Sequence, residues 1–311
     1  MRRAIVLSIL IAAGALSITR AAQRPSIPQG PPSQKALEAT RIEKVKDNLY
    51  IITGSAAGSD FSAFSGGNTA VFITDAGVVL VDTKLPLWGP AILERVKSVT
   101  SKPITTIVNT HTHGDHTGSN EFFGTAVDSV VQANTKANME KMDAFKGDKA
   151  KFLPKRTFTD RLTVGAGKDR IDLYYFGRGH TNGDAWVVFP ALRVVHAGDM
   201  FPEKGPAIID PSNGGSIVAH ADTVAKAAAT LTGIETVIPG HAALMARKDL
   251  QEYAAFTKEF LAWARTEIAA GKSAEAAAAE YKIPAKYQGY SVNAVFGIAG
   301  DVQQAYSELK K

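Results

Sequence analysis

From residue 41 the chain alternates short apolar runs with polar punctuation. IEKVKDNLYIITG (42–54), NTAVFIT (68–74) and GVVLVDT (77–83) are β-branched or alternating stretches bounded by Gly, Asp and Asn, the pattern of strands joined by turns. GPAILERVKSVTSKP (89–103) then carries apolar residues at helical spacing and ends before a proline, and ITTIVNT (104–110) reads as a buried strand. A helix-like NTKANMEKMDAF (134–145) and a lysine-rich loop near 147–156 lead into three further strand candidates, RIDLYYFG (170–177), DAWVVFP (184–190) and LRVVHAGD (192–199). SIVAHADTVAKAAATL (216–231) reads as a helix, TVIPGHA (236–242) as a short strand running into a loop, and AAFTKEFLAWARTEIAA (254–270) is the clearest amphipathic segment of an alanine-rich, helical end.

Two successive β-rich halves, each followed by helices, predict an α/β fold: a four-layer αββα sandwich of two mixed β-sheets flanked by helices, with a helical C-terminal extension. The catalytic domain is expected over 41–248 and the extension, packed on it as a cover, over 249–311. Ahead of them, MRRAIVLSILIAAGALSITRAAQ has an arginine pair, an apolar run from Ala4 to Ile18 and small residues at Ala21 and Ala22. It reads as an export signal over 1–22, the run being shorter than a spanning helix needs. An uncleaved anchor is the second choice. Residues 23–40, rich in Pro, Gln and Ser at their start, read as a solvated linker.

Composition narrows the chemistry. The net charge of +5 includes Arg2, Arg3 and Arg20 of the leader, leaving +2 for the remainder, and no Lys/Arg cluster is left to serve as an electrostatic footprint for nucleic acid. A small-molecule substrate is expected instead; no stable membrane span remains once the signal is removed, and the oligomeric state is left open. The chain has no cysteine. That fits an oxidising compartment and removes thiolate ligands, so a metal site must be built from histidine and carboxylate.

Such residues are concentrated in NTHTHGDHTGSN (109–120), where three of the chain's seven histidines fall within six residues. A polar loop that caps a helix would be the bland alternative. The other candidates fall, like this motif, on loops just past predicted strands: His180 in FGRGHTNGD, Asp199 in HAGDM and His241 in VIPGHA. Loops at one edge of a rigid sheet are how distant residues converge, and borderline divalent ions take imidazole nitrogen and carboxylate oxygen. His111 and His113, two apart, suit extended backbone. Asp115 and His116, being adjacent, are expected to point differently and to serve a neighbouring ion. Two ions account for four ligands in six residues better than one, because a single catalytic ion usually takes three protein ligands.

HTHGDH, with the later GHTNGD, HAGD and PGH, resembles the metallo-β-lactamase-fold hydrolase superfamily over roughly residues 42–245. The resemblance implies two zinc ions per chain, with iron or manganese as alternatives. It implies His111, His113 and His180 on the first, Asp115, His116 and His241 on the second, and Asp199 bridging both. Asp115 and Asp199 are the catalytic candidates, and Asp82 in VLVDTK would support the metal loop from behind, although a strand-ending turn residue is an alternative reading. The cysteine-bearing lactamase subclass has a thiolate where Asp199 stands, and its histidine-ligand counterpart usually lacks the bridging aspartate. The site is therefore more similar to glyoxalase II and lactonases. The implied function is an exported dinuclear zinc hydrolase whose bridging hydroxide attacks an ester, thioester, lactone or amide carbonyl. A β-lactamase and a di-iron redox protein of the same fold are the alternatives.

Smaller expectations complete the reading. His196, within a strand, and His220, on a helix, read as structural histidines; Thr181 and Asp184 read as a turn pair. Trp186, Trp263 and Tyr174–Phe176 read as core, and FSGGNTAVF (64–72) as either a flap or a β-turn. Phe61, Phe64 and Lys204 are candidate pocket-wall residues, with Lys204 able to hold a substrate carboxylate or to sit in solvent.

Overall fold

The computed structural model describes residues 30–54, 61–294 and 296–310; the segment read as an export signal lies outside them. The described chain opens with helix α1 (Gln34–Ala39), whose cap Ser33 accepts a hydrogen bond from the Ala36 amide at 3.1 Å. Ala36 is buried in a cluster with Trp88 and Ile92. The end of the segment read as linker is thus a capped helix with an apolar anchor.

A first sheet runs β1 (Ile42–Lys46), β2 (Leu49–Ile52), β3 (Thr69–Ile73), β4 (Val78–Val81), β5 (Ile104–Val108), β6 (Asp128–Gln132) and β7 (Arg156–Phe158), in that spatial order. Its first four strands are antiparallel neighbours and its last four are parallel ones. The second sheet is formed by β8 (Arg161–Val164), β9 (Ile171–Tyr174), β10 (Trp186–Phe189), β11 (Val194–Gly198), β12 (Thr236–Pro239) and β13 (Met245–Ala246). It is antiparallel except for the parallel pair β11 and β12. Strands β6, β7 and β8 had no counterpart in the sequence reading: they span three to five residues and have Asp, Arg or Ser in place of a long apolar run.

Alternation along the central strands explains the layering. Ala70, Phe72, Val79, Val81 and Val108 of the first sheet meet Leu173, Val187, Phe189 and Ile238 of the second in one core. The intervening Val71, Val78, Leu80 and Ile107 face outward onto helix α2 (Gly89–Lys97) through Ile92 and Val96. Trp186, Val188, Val195 and Val237 do the same on the far side, beneath α5 (Ile217–Thr230) and α6 (Arg247–Ala269). Between α2 and α5 lie the one-turn α3 (Gly114–Thr117) and α4 (Ala133–Met139); α7 (Ala274–Glu280) and α8 (Ala299–Leu309) follow α6 and pack on α5 and α6. Two mixed sheets flanked by helices, with helices at the C-terminal end, are thus the architecture the pattern predicted. No described helix is long and apolar enough to cross a membrane.

Topology decides where the chemistry gathers. Parallel β4 and β5 end together, as do parallel β11 and β12. Strand β9 is antiparallel to β10, which is antiparallel to β11, so β9 ends on the same edge as β11. Asp82 follows β4, the histidine motif follows β5, His180 follows β9, Asp199 follows β11 and His241 follows β12.

Candidate metal centre

The motif leaves β5 extended and then turns. His113 has β-region backbone and its carbonyl accepts from the amides of His116 and Thr117 at 3.0 Å each, closing the single turn of α3. Because that turn is helical, Asp115 and His116 both reach the same group with His241. Asp115 Oδ2 lies 3.6 Å from His116 Nε2 and 3.5 Å from His241 Nε2. His111, His113, His180 and Asp199 form the other group, and within each group the candidate ligand atoms lie within 4.8 Å of one another. Asp199 touches both groups: Oδ1 is 3.3 Å from His116 Nε2, and Oδ2 is 3.2 Å from His241 Nε2 and 3.7 Å from His180 Nε2.

For His111, His113, His116 and His180 the far nitrogen identifies what the near nitrogen offers; His241 Nδ1 has no hydrogen-bond partner among the described residues. His113 Nε2 donates to Asp210 Oδ2 at 2.8 Å, His116 Nδ1 to Asp82 Oδ2 at 2.7 Å, and His180 Nδ1 to the Ile208 carbonyl. His111 Nδ1 lies 3.0 Å from Thr110 Oγ1, whose own proton goes to Asp82 Oδ2. With those nitrogens acting as donors, the neutral rings aim bare lone pairs inward. There His180 Nε2 stands 2.9 Å and His111 Nε2 3.2 Å from His113 Nδ1, and His116 Nε2 stands 3.3 Å from His241 Nε2. Converging lone pairs repel unless a cation lies among them. The donor set therefore fits divalent metal. The carboxylates favour positive charge at the centre: burial opposes charge on His116, yet Asp199, Asp115 and Asp82 together raise its pKa well above the ordinary imidazole value, so a cation there takes the place of a proton.

Asp82 is more than a strand-ending turn residue. It is fully buried, adopts φ 65°, and accepts from the Thr110 amide at 2.8 Å as well as from Thr110 Oγ1 and His116. One carboxylate thus fixes a ring of each group. Asp210 does the same for His113; the sequence reading took candidate pocket-wall residues from DMFPEKGPAIIDPSNGG (199–215) but did not single out Asp210. It is also a turn cap, accepting from Ser212 and Asn213. Partial burial opposes ionisation, but His113, Ser212 and Asn213 hold its carboxyl well below the usual carboxylate range.

The glycines and asparagine of FSGGNTAVF support the site. Asn68 Nδ2 donates to the carbonyls of Pro239 and Ala242 on either side of His241, and Gly67 lies flat against the His116 ring. Phe64 stacks on His241 with centroids 5.8 Å apart. Lys204 neither reaches the centre nor sits free: its ammonium pairs with Asp249 at 2.7 Å and Glu252 at 3.5 Å. The structural histidines are satisfied elsewhere, His196 Nε2 by the Asn68 carbonyl and His220 Nε2 by that of Met200. The Thr181 amide and hydroxyl bond Asp184 as a turn pair. Trp186 is buried, whereas Tyr174, Phe176 and Trp263 are half-buried at cluster margins. Phe61 has no described side chain.

Lys84 was not singled out from the sequence, yet it is fully buried at φ 61°. Its ammonium donates to the carbonyls of Thr53 at 2.9 Å and Gly67 at 2.8 Å. Burial, reinforced by Arg95, pushes its pKa down to about 7. Below pH 7 folded and unfolded chains both carry this proton. Between pH 7 and the ordinary lysine range only the unfolded chain does, so the group makes stability rise with pH, by at most about 1.4 kcal/mol per unit. Urea unfolding at pH 7, 8, 9 and 10 is expected to show wild type gaining on Lys84→Met across that window; parallel curves would contradict the buried charge.

A family model described as the metallo-beta-lactamase superfamily matches residues 63–241, which include every side chain of both groups. The chain belongs to this superfamily. A metallo-beta-lactamase type 2 of Elizabethkingia meningoseptica is 30% identical over 170 residues, 51% of this chain. The match spans 61% of that enzyme's own length. A metallo-beta-lactamase type 2 of Bacteroides fragilis is 25% identical over 67% of this chain and 82% of its own. The alpha subunit of a 2,4-dinitroanisole O-demethylase from Nocardioides is 28% identical over 40% of this chain and 38% of its own. Among solved structures, the metallo-beta-lactamase of Pontibacter korlensis aligns with TM-score 0.61 at 18% identity, covering 70% of this chain and 99% of that one. DIM-1 metallo-beta-lactamase aligns with TM-score 0.57 at 19% identity, over 71% and 97%. These likenesses support the superfamily fold, which by itself names no substrate.

Proposed function

We propose that the chain is a hydrolase that would hold two divalent ions, zinc by preference, and that its substrate is an ester, thioester, lactone or amide of a small molecule. The observation that carries this is Asp199: one buried carboxylate within reach of both ligand groups. His111, His113 and His180 would hold one ion, Asp115, His116 and His241 the other, and Asp199 would bridge them. When bound, such a pair lowers the pKa of water toward neutrality and polarises the substrate oxygen. The remaining work falls to the chain. Asp82 and Asp210 keep the rings of His116 and His113 in one tautomer and one orientation. Asp115, less buried than Asp199, is placed to orient the nucleophile or pass a proton from its Oδ2 to the leaving group. Burial of the rings excludes bulk water and strengthens each charge interaction. Export is part of the proposal, supported by the residue pattern of 1–22.

β-Lactams, which are cyclic amides, form a second reading favoured by the relatives that carry the metallo-beta-lactamase name. Screening esters, thioesters, lactones and a chromogenic cephalosporin against the zinc-loaded protein separates them. Carbonyl hydrolysis that disappears in His111→Ala is expected; turnover of the cephalosporin alone would favour the second reading. Stoichiometric iron with visible absorbance and no hydrolysis would overturn both in favour of a redox protein.

A further inference from the structure

Between Asp199 and α5 the chain forms a strap, residues 203–216, whose inner side faces the tri-histidine group. Ile208 supplies the carbonyl for His180 and Asp210 the carboxylate for His113. The family match ends at residue 241, yet residues beyond it grip the strap at both ends. At one end the Ser291 amide donates to the Lys204 carbonyl at 3.1 Å, and Asn293 Nδ2 donates to Glu203 at 2.7 Å. At the other, Glu308 of α8 accepts from Ser216 Oγ at 2.5 Å and from the amides of Ile217 and Val218 at 3.2 and 3.3 Å. A carboxylate from 90 or more residues away thus completes the cap of α5, where amides and helix dipole both favour it. The middle of the strap, Ile209 included, borders a cavity of about 660 Å³; Ile209 also packs on the C-terminal helices, and these hydrogen bonds from residues beyond 241 fall at the strap's two ends.

The Glu308 end connects tightly to the site. The Ser216 amide donates to the Gly179 carbonyl at 2.9 Å, Gly215 to that of Asp210 at 2.8 Å, and Asp210 to that of His180 at 2.8 Å. A Cβ on Gly215 would stand 2.3 Å from the His180 oxygen and 2.7 Å from the Asp210 oxygen. There is no slack for α5 to shift without moving His180 and Asp210. His116 does not depend on the strap: it is held by Asp82 at the end of β4 in the opposite sheet, the carboxylate that also steadies His111 through Thr110, so within the tri-histidine group only His113 and His180 rest on the strap.

We propose that the C-terminal helices set the geometry of the tri-histidine site through this strap, with Glu308 as the positioning residue for His180 and His113. This rests on reading those histidines as metal ligands. The test is titration of metal-free protein with cobalt(II), following the hyperfine-shifted imidazole N–H resonances, with His113→Ala marking which belong to the tri-histidine group. In Glu308→Ala the affinity of that group is expected to fall about tenfold, the low end for loss of a ligand-orienting contact. The N–H signals of His113 and His180 should shift while that of His116 stays in place. Glu308→Gln keeps an acceptor oxygen and should recover most of the affinity, leaving a smaller shift of the same signals; it also serves if the alanine variant does not fold. Unchanged signals in both variants, or equal weakening of both groups, would overturn the positioning role while leaving the metal reading intact. A wild-type protein that takes up no cobalt would overturn the metal reading, and this inference with it.

Discussion

His116→Ala is expected to abolish hydrolysis and to reduce bound metal from two ions per chain to one. His116 Nε2 meets Asp115, Asp199 and His241 within 3.3–3.6 Å, and its Nδ1 is held by the buried Asp82. Loss of a contact that merely orients a ligand costs 10- to 100-fold in affinity, so removing the ligand itself should cost more than about 100-fold. Metal analysis after dialysis and the rate with the best ester or lactone read the two effects separately. Thermal unfolding supplies a third reading. Ions that bind only the folded chain stabilise it by about 2.7 kcal/mol at a hundredfold excess over Kd, so a chelator should lower the melting temperature of wild type more than that of the variant. Retained activity with two ions would remove His116 from the site.

Gly67→Ala should damage the same group without touching a candidate ligand. An added Cβ would stand 2.2 Å from His116 Cε1 and 2.7 Å from its Nε2. Neither side can yield cheaply. The ring is buried and tied to Asp82 at 2.7 Å, while the Gly67 backbone is held by the hydrogen bond its amide donates to the Asp115 carbonyl and by the Lys84 ammonium on its own carbonyl. Overpacking of this kind typically costs about 1–3 kcal/mol, and displacing the ring should weaken metal binding by the 10- to 100-fold that misorientation brings. The intersheet core is not involved, so far-UV circular dichroism should stay that of wild type while metal content falls. Full metal occupancy in this variant would mean that the ring is free to move and that the packing behind it is unimportant.

The sequence was most legible where one stretch of chain carries its own signal. β4 and β10 are continuous apolar runs, and β3 and β11 are broken only by Thr69 and His196, because these strands are buried on both faces, and the histidine motif declares itself by density. His180, Asp199 and His241 were found because each sits just past such a run. The supporting residues were harder to read. Asp210 lies 97 positions from His113, and Glu308 lies 92 from Ser216, so nothing near either in sequence indicates its partner; each reads locally as a turn residue or a helix-surface acid. Lys84 looks like a solvent lysine until the carbonyls of Thr53 and Gly67, 31 and 17 positions away, receive its ammonium. Asp115 and His116, adjacent in sequence, share one group with His241 through the one-turn helix that His113 begins. Short edge strands such as β7 and β8 escape pattern reading for a related reason: with one neighbour and partial burial they need few apolar residues.

The most direct test of a dinuclear centre is the metal stoichiometry of the purified full chain after equilibration with zinc and removal of the excess. Two equivalents per chain are expected, from ligand groups that converge on Asp199. A chain that retains none, or only one, would contradict the dinuclear site.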